Sequence, residues 1–103
     1  LDHHAGLKNL IESQTTQNKM IAAICAAPSI LGKMKLLKGK EAICYPGFEG
    51  LLIDAKISDE KIVKSGNIHT AKAAGVAIQF ALHLVQEMKG KEVADSISKA
   101  IFL

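Results

Sequence analysis

The sequence predicts an α/β domain with a largely parallel sheet covered by helices on both faces. Three observations carry that expectation. Met20 to Ile24 is a short unbroken apolar run, as suits a strand buried on both sides. It gives way without a linker to a 3.6-residue apolar period. A second, longer helical stripe follows from Ala77 to Met88 after further short strand-like runs.

The chain has 103 residues, one domain's worth, with 49% apolar and 22% charged residues. That balance excludes a disordered chain. Three Phe, one Tyr and no Trp leave no stacking platform for single-stranded nucleic acid. The net charge of +3 comes from dispersed lysines rather than a basic stripe, so a nucleic-acid partner is not expected. The apolar stretch from Met20 to Leu31 is interrupted by Pro28 and Ser29 and is too short to span a membrane. Two cysteines make no disulfide framework, and a reducing, cytoplasmic location is the expectation.

In chain order, Leu7, Leu10 and Ile11 follow Asp2, an acceptable N-cap, and predict a helix over residues 3–13. Ser13 to Asn18 reads as a polar turn, and Met20 to Ile24 as the buried strand. Ile30, Leu31, Met34 and Leu37 predict a helix over residues 27–38, with Gly39 as its stop. Glu41 to Cys44 reads as a second strand closed by the turn Tyr45-Pro46-Gly47. Ala55 to Ser58 and Ile62 to Lys64 are expected to form a short pair, and Asn67 to Ala71 a strand leading to Gly75. Ala77, Phe80, Ala81, Leu84, Val85 and Met88 make one apolar stripe, with Gln79, His83, Gln86 and Glu87 opposite and Gly90 as the stop. Val93, Ile97, Ala100 and Ile101 repeat the pattern, with Asp95 and Lys99 at a supportive spacing.

The chemically informative segment is Ala23-Ile-Cys-Ala-Ala27. A strand that turns into a helix at one residue needs small neighbours two positions to either side, and Ala23 and Ala27 supply them. This is a cysteine form of the nucleophile elbow, with Ala where hydrolases carry Gly. The bend lifts Cys25 to the carboxyl end of the sheet, where open α/β folds bind ligands. A following helix N-terminus favours the thiolate, and the Ala26 N–H is an oxyanion donor. The same pattern also fits an inert buried thiol.

Ala22-Ala-Ile-Cys-Ala-Ala-Pro28 resembles the elbow of the ThiJ/PfpI superfamily, the parkinsonism-associated protein deglycase and its bacterial relatives. Ile68-His-Thr-Ala-Lys-Ala-Ala-Gly75, Ala77-Ile-Gln-Phe-Ala-Leu82 and Gly90-Lys-Glu-Val-Ala94 resemble later parts of the same family, in order. The resemblance implies a flavodoxin-like sandwich and a cofactor-free reaction on small carbonyl compounds such as methylglyoxal. Cys25 is then the nucleophile and Ala26 N–H an oxyanion donor. The family's acidic partner of the cysteine and its Gly-Gly turn find no match. Leu1-Asp-His-His-Ala-Gly6 resembles the stretch just after that turn. Residues 1–103 are therefore expected to be the C-terminal portion of one such domain, with the N-terminal half as partner. The alternative is an autonomous small domain. The chain opens on Leu1 rather than Met, which agrees with an upstream segment. A homodimer is also implied.

The resemblance gives Thr70, rather than His69, the better position to face the site, and makes His3 a candidate pocket-lining residue. A Cys-His-acid triad finds no match, which sets peptidase or amidase activity below the carbonyl reaction. A redox sensor or stress chaperone with an oxidisable Cys25 is the alternative from another class. Asp2-His3-His4 lacks the spacing of a metal site, so no metal ligands are assigned. His83 reads as solvated on the polar face of its helix, and Cys44 as a structural thiol. Gly32 to Lys40 has six residues between its glycines and Glu41 after the lysine, so it is no phosphate loop.

Overall fold

The computed structural model describes residues 5–103. Asp2, His3 and His4, and with them the proposed cap and pocket residue, lie outside the described residues. Four helices and five strands follow in the order α1 (Ala5–Thr16), β1 (Ile21–Ile24), α2 (Pro28–Lys33), β2 (Glu41–Ala42), β3 (Lys56–Ile57), β4 (Ile62–Ser65), β5 (Ile68–Ala71), α3 (Ala77–Lys89) and α4 (Lys91–Ala100). Single 3₁₀ turns at Glu49–Leu51 and Ala74–Val76 join them.

The main sheet has the order β1-β5-β4. β1 runs parallel to β5, with Ala23 opposite Thr70 and Ile24 opposite Ala71. A two-stranded parallel sheet pairs β2 with β3. All four residues of the central β5 are buried, which is why Ile68-His-Thr-Ala71 shows no polar–apolar alternation of accessibility despite its mixed chemistry. Leu31, Leu37, Ala42, Cys44, Leu52 and Ile68 form the core, with Ile11, Ile21, Ala23, Leu36 and Ala55 packed against it.

Several sequence expectations are corrected. α1 runs on to Thr16 through the supposed polar turn. Thr15 and Thr16 return their hydroxyls to the carbonyls of Ile11 and Glu12 (both 2.9 Å), so these side chains do not compete with the helix for its own donors. Its stop is Asn18, at φ 55°, with Lys19 N–H on Gln14 O and Asn18 N–H on Thr15 O.

The helix expected over 27–38 ends at Lys33. Lys35 takes φ 61°, its N–H reaches Gly32 O (2.9 Å), and Leu36 N–H reaches Leu31 O (3.1 Å). That is a Schellman stop with lysine at the position glycine usually fills, which the residue type does not announce. The expected pairing of residues 55–58 with 62–64 is also replaced. β3 joins β2, and β4 instead forms an antiparallel hairpin with β5 around Gly66-Asn67. Gly66 at φ 62° supplies the positive angle required at the first position of such a loop.

In α3, Phe80 is the buried residue, Leu84 and Val85 are half-buried, and Met88 at the end of the expected stripe is 61% exposed. In α4 the Asp95 carboxylate pairs with Lys91 (2.7 Å), one turn before it, rather than in the Asp95–Lys99 arrangement expected.

The strand-to-helix bend and the candidate site

Cys25 follows β1 directly and has φ 66°, the left-handed region that costs a side-chain-bearing residue on the order of 1–3 kcal/mol. Its backbone is held from both sides. The Cys25 N–H donates to Ala71 O of β5 (3.0 Å), and the Cys25 carbonyl accepts from Tyr45 N–H (2.7 Å). The Ala27 N–H closes the turn on Ile24 O (3.2 Å). These bonds over-determine the bend, so the strain persists.

The same bonds orient a donor. The Cys25–Ala26 peptide is planar and trans, so fixing its carbonyl on Tyr45 turns the Ala26 N–H the opposite way. That N–H has no acceptor among the described residues. The next carbonyl, of Ala26, is occupied by Ser29 through both N–H (3.0 Å) and Oγ (2.6 Å). The turn thus leaves one backbone donor unused beside a half-buried thiol.

The helix after the bend is shorter than expected. α2 has six residues and starts at Pro28, which carries no N–H, so its dipole is weaker than that of a helix over residues 27–38. Cys44 is fully buried. Burial pushes its thiol above the ordinary range, and the charges of Glu49 and Cys25 add to the effect. The Glu49 carboxyl is held below its usual range by backbone donors, its own and that of Gly47 (2.8 Å), with Lys72 contributing.

Thr70 is 1% exposed, and its hydroxyl accepts from Ile43 N–H (3.1 Å). It stands opposite Ala23 in the sheet and ties the β2 strand to β5. A cavity of about 590 Å³ is lined by Asp59 to Ile62, Gly75, Val76 and Gln79, none of them an expected site residue.

Sequence reasoning missed one cluster. His83 is half-buried rather than solvated, and its Nε2 lies 2.8 Å from Nδ1 of the buried His69. Glu87 stands one turn further along α3 and pairs with Lys64 (2.9 Å). The signal available was strand parity. Consecutive strand residues face opposite ways, so a buried Thr70 turned toward β2 sends His69 to the other face.

A mixed α/β layer in which a cysteine sits at a strained strand-to-helix bend defines the class. The DJ-1/PfpI family model matches residues 1–87, and the chain belongs to that family. It is 35% identical over 97 residues to Protein dj-1beta of Drosophila melanogaster, covering 92% of this chain and 52% of that protein. It is 31% identical over 91 residues to isonitrile hydratase of Pseudomonas putida, covering 86% and 40% respectively. Among solved structures, Drosophila melanogaster DJ-1beta superposes with a TM-score of 0.90 at 32% identity, over 99% of this chain and 56% of that one. Oxidized Toxoplasma gondii DJ-1 gives 0.88 at 32% identity, over 95% and 54%. The chain therefore spans about half the length of the relatives it matches, and its fold is the flavodoxin-like fold of this family. No helix among the described residues is long and apolar enough to cross a membrane.

Proposed function

We propose that the protein is a cysteine-dependent enzyme that converts small reactive carbonyl compounds without a cofactor. The observation that carries this reading is the positive φ of Cys25, kept in place by Ala71 and Tyr45. With methylglyoxal as substrate, the Cys25 thiolate adds to the aldehyde carbon and forms a C–S bond, and the new alkoxide is met by Ala26 N–H. The carbonyl oxygen takes a proton to give a hemithioacetal. A base moves the proton from that carbon to the neighbouring one through an enediol, leaving a thioester of lactate. Water cleaves the thioester and returns the thiol, so one water is consumed and the oxidation of one carbon balances the reduction of its neighbour. The acid/base group is a carboxylate beyond these residues.

The chain is read as the C-terminal portion of the domain. Supporting this, β1 is the outer strand of its sheet among the described residues. Beside it lies an apolar groove of about 220 Å³ lined by Ile11, Ile21, Ala23, Ala27 and Ile30 among others. An N-terminal half that adds strands to β1 would cover this groove.

A second reading is peroxide sensing at Cys25, a free and only half-buried thiol at the bend. The test uses the protein expressed from its complete gene. Cys25→Ser abolishes lactate formation from methylglyoxal while Cys44→Ser retains it, and near neutral pH iodoacetamide labels Cys25 well before Cys44. Unchanged turnover in Cys25→Ser removes that residue from the chemistry. Absence of turnover in the native protein, with ready conversion of Cys25 to a sulfinic acid, favours the sensor.

A further inference from the structure

On the face of β5 turned away from Thr70, three donors converge that the carbonyl chemistry does not use. His69 comes from the strand, and His83 and Glu87, four residues apart, share one face of α3. One ligand atom from each lies within 4.8 Å of the others. We propose that His69, His83 and Glu87 form a binding site for a divalent cation of the zinc type, with a fourth position open to water or an anion.

Two imidazoles and one carboxylate are the donor set of open, tetrahedral zinc centres, and imidazole nitrogen selects against magnesium and calcium. The imidazoles already point nitrogen to nitrogen. Their rings are tilted by 59°, with Nδ1 of His69 and Nε2 of His83 2.8 Å apart. Metal–nitrogen bonds of about 2.0–2.1 Å at a tetrahedral angle require a separation of about 3.3 Å, so the pair opens by roughly half an ångström as the ion replaces the shared proton. Phe80 lies parallel to the His83 ring (11°, centroids 6.2 Å) and backs it with an apolar surface. His83 also borders a cleft of about 290 Å³ that reaches Ala94 and Ser98 of α4, a route for the ion from solvent.

The protonation states agree with this use. Burial, and then the neighbouring His83, hold His69 below the ordinary histidine range, so it presents a neutral ring at neutral pH. Lys64 holds the Glu87 carboxyl below its usual range and therefore ionised. Lys64 is also the competitor. Its Nζ contacts both carboxylate oxygens (2.9 and 3.1 Å) and must swing out for Glu87 to close on the ion. Lys64 is half-exposed, so that movement breaks only a surface ion pair.

The experiment titrates Zn²⁺, in competition with a chromophoric chelator, into metal-free protein expressed from its complete gene. One equivalent binds per chain. His83→Ala, which retains a good helix former, and Glu87→Gln each weaken binding by about tenfold or more. Lys64→Met tightens it, which a purely structural role for the cluster does not produce. With Co²⁺ as the probe, the native protein shows ligand-field absorption without a thiolate charge-transfer band, which separates this site from Cys25 and Cys44. The proposal is overturned by equal Zn²⁺ affinity in the native and His83→Ala proteins, by weaker or unchanged binding in Lys64→Met, by a thiolate band, or by no binding at all.

Discussion

Replacing Gly32 with alanine tests how tightly the helix after the bend is pressed against the rest of the fold. A Cβ built there meets Leu51 O at 2.2 Å, Leu52 Cα at 2.6 Å and the Leu51 carbonyl carbon at 3.0 Å, all backbone atoms. Ordinary contact begins near 3.4 Å, so the segment must retreat by more than an ångström. It is not free to do so. Leu51 and Leu52 N–H close a 3₁₀ turn on Phe48 and Glu49, Ala55 N–H is bonded to Leu52 O, and the Leu52 side chain sits in the core. Overpacking of this kind costs about 3 kcal/mol when backbone rather than a side-chain end must yield. Drawing Leu52 partly out of the core adds about 1 kcal/mol. The better helix propensity of alanine returns about 1 kcal/mol. The expected net loss is about 3 kcal/mol, a large share of a domain's total stability. Urea denaturation followed by far-UV circular dichroism measures it on the protein expressed from its complete gene. Gly50→Ala is the control, because its Cβ meets nothing within 4 Å, and its midpoint is expected to stay within about 0.5 kcal/mol of native. A Gly32→Ala midpoint equal to or above that of Gly50→Ala refutes the close-approach argument.

Thr70→Val removes the acceptor of the buried Ile43 N–H and is expected to cost about 1–3 kcal/mol, whereas Thr70→Ser keeps the bond and costs less. Amide hydrogen exchange at Ile43 reads the same loss directly, and unchanged protection in Thr70→Val contradicts it. His69 makes stability depend on pH with a definite sign. Its folded pKa is depressed below 6.5, so on acidification the unfolded chain takes up the proton first. The contribution is whole above pH 6.5 and is lost as the pH falls through the folded value. His69→Gln lacks this term, so in chelator its stability deficit relative to native narrows between pH 7.5 and pH 5.5, about one unit to either side of the free histidine value; parallel curves contradict the assignment.

The elements legible in the sequence were those whose signal is local and chemical. The elbow announced itself because a strand cannot become a helix at Cys25 without small residues at 23 and 27, and the hairpin strand β5 because Ile68, Thr70 and Ala71 are apolar or β-branched. What escaped was set by single backbone angles and by tertiary pairing. Lys35 ends α2 in a conformation that glycine normally marks, and its bond to Gly32 O, with that of Leu36 N–H to Leu31 O, is worthwhile because the turn delivers Leu36 and Leu37 to the core. β3 is two exposed residues long, so nothing in its side chains could name β2 rather than β4 as its neighbour. His83 lay on a face read as polar. Its burial comes from His69 beneath it, fourteen residues away.

These particulars assign β5 a role beyond filling the core. Its Ala71 carbonyl holds the Cys25 N–H directly. Its Thr70 hydroxyl holds Ile43, two residues before Tyr45, whose N–H in turn holds the Cys25 carbonyl. Both backbone restraints on the strained cysteine therefore lead back to adjacent residues of one buried strand, while His69 uses the opposite face for the imidazole pair. Loosening Thr70 acts on the bend through Ile43 and Tyr45, and it relaxes the orientation of the Ala26 N–H along with it. Thr70 is in this sense a positioning residue. On the proposed carbonyl reading, its loss is expected to lower lactate formation from methylglyoxal in Thr70→Val more than in Thr70→Ser, with the alkylation rate of Cys25 shifting in parallel.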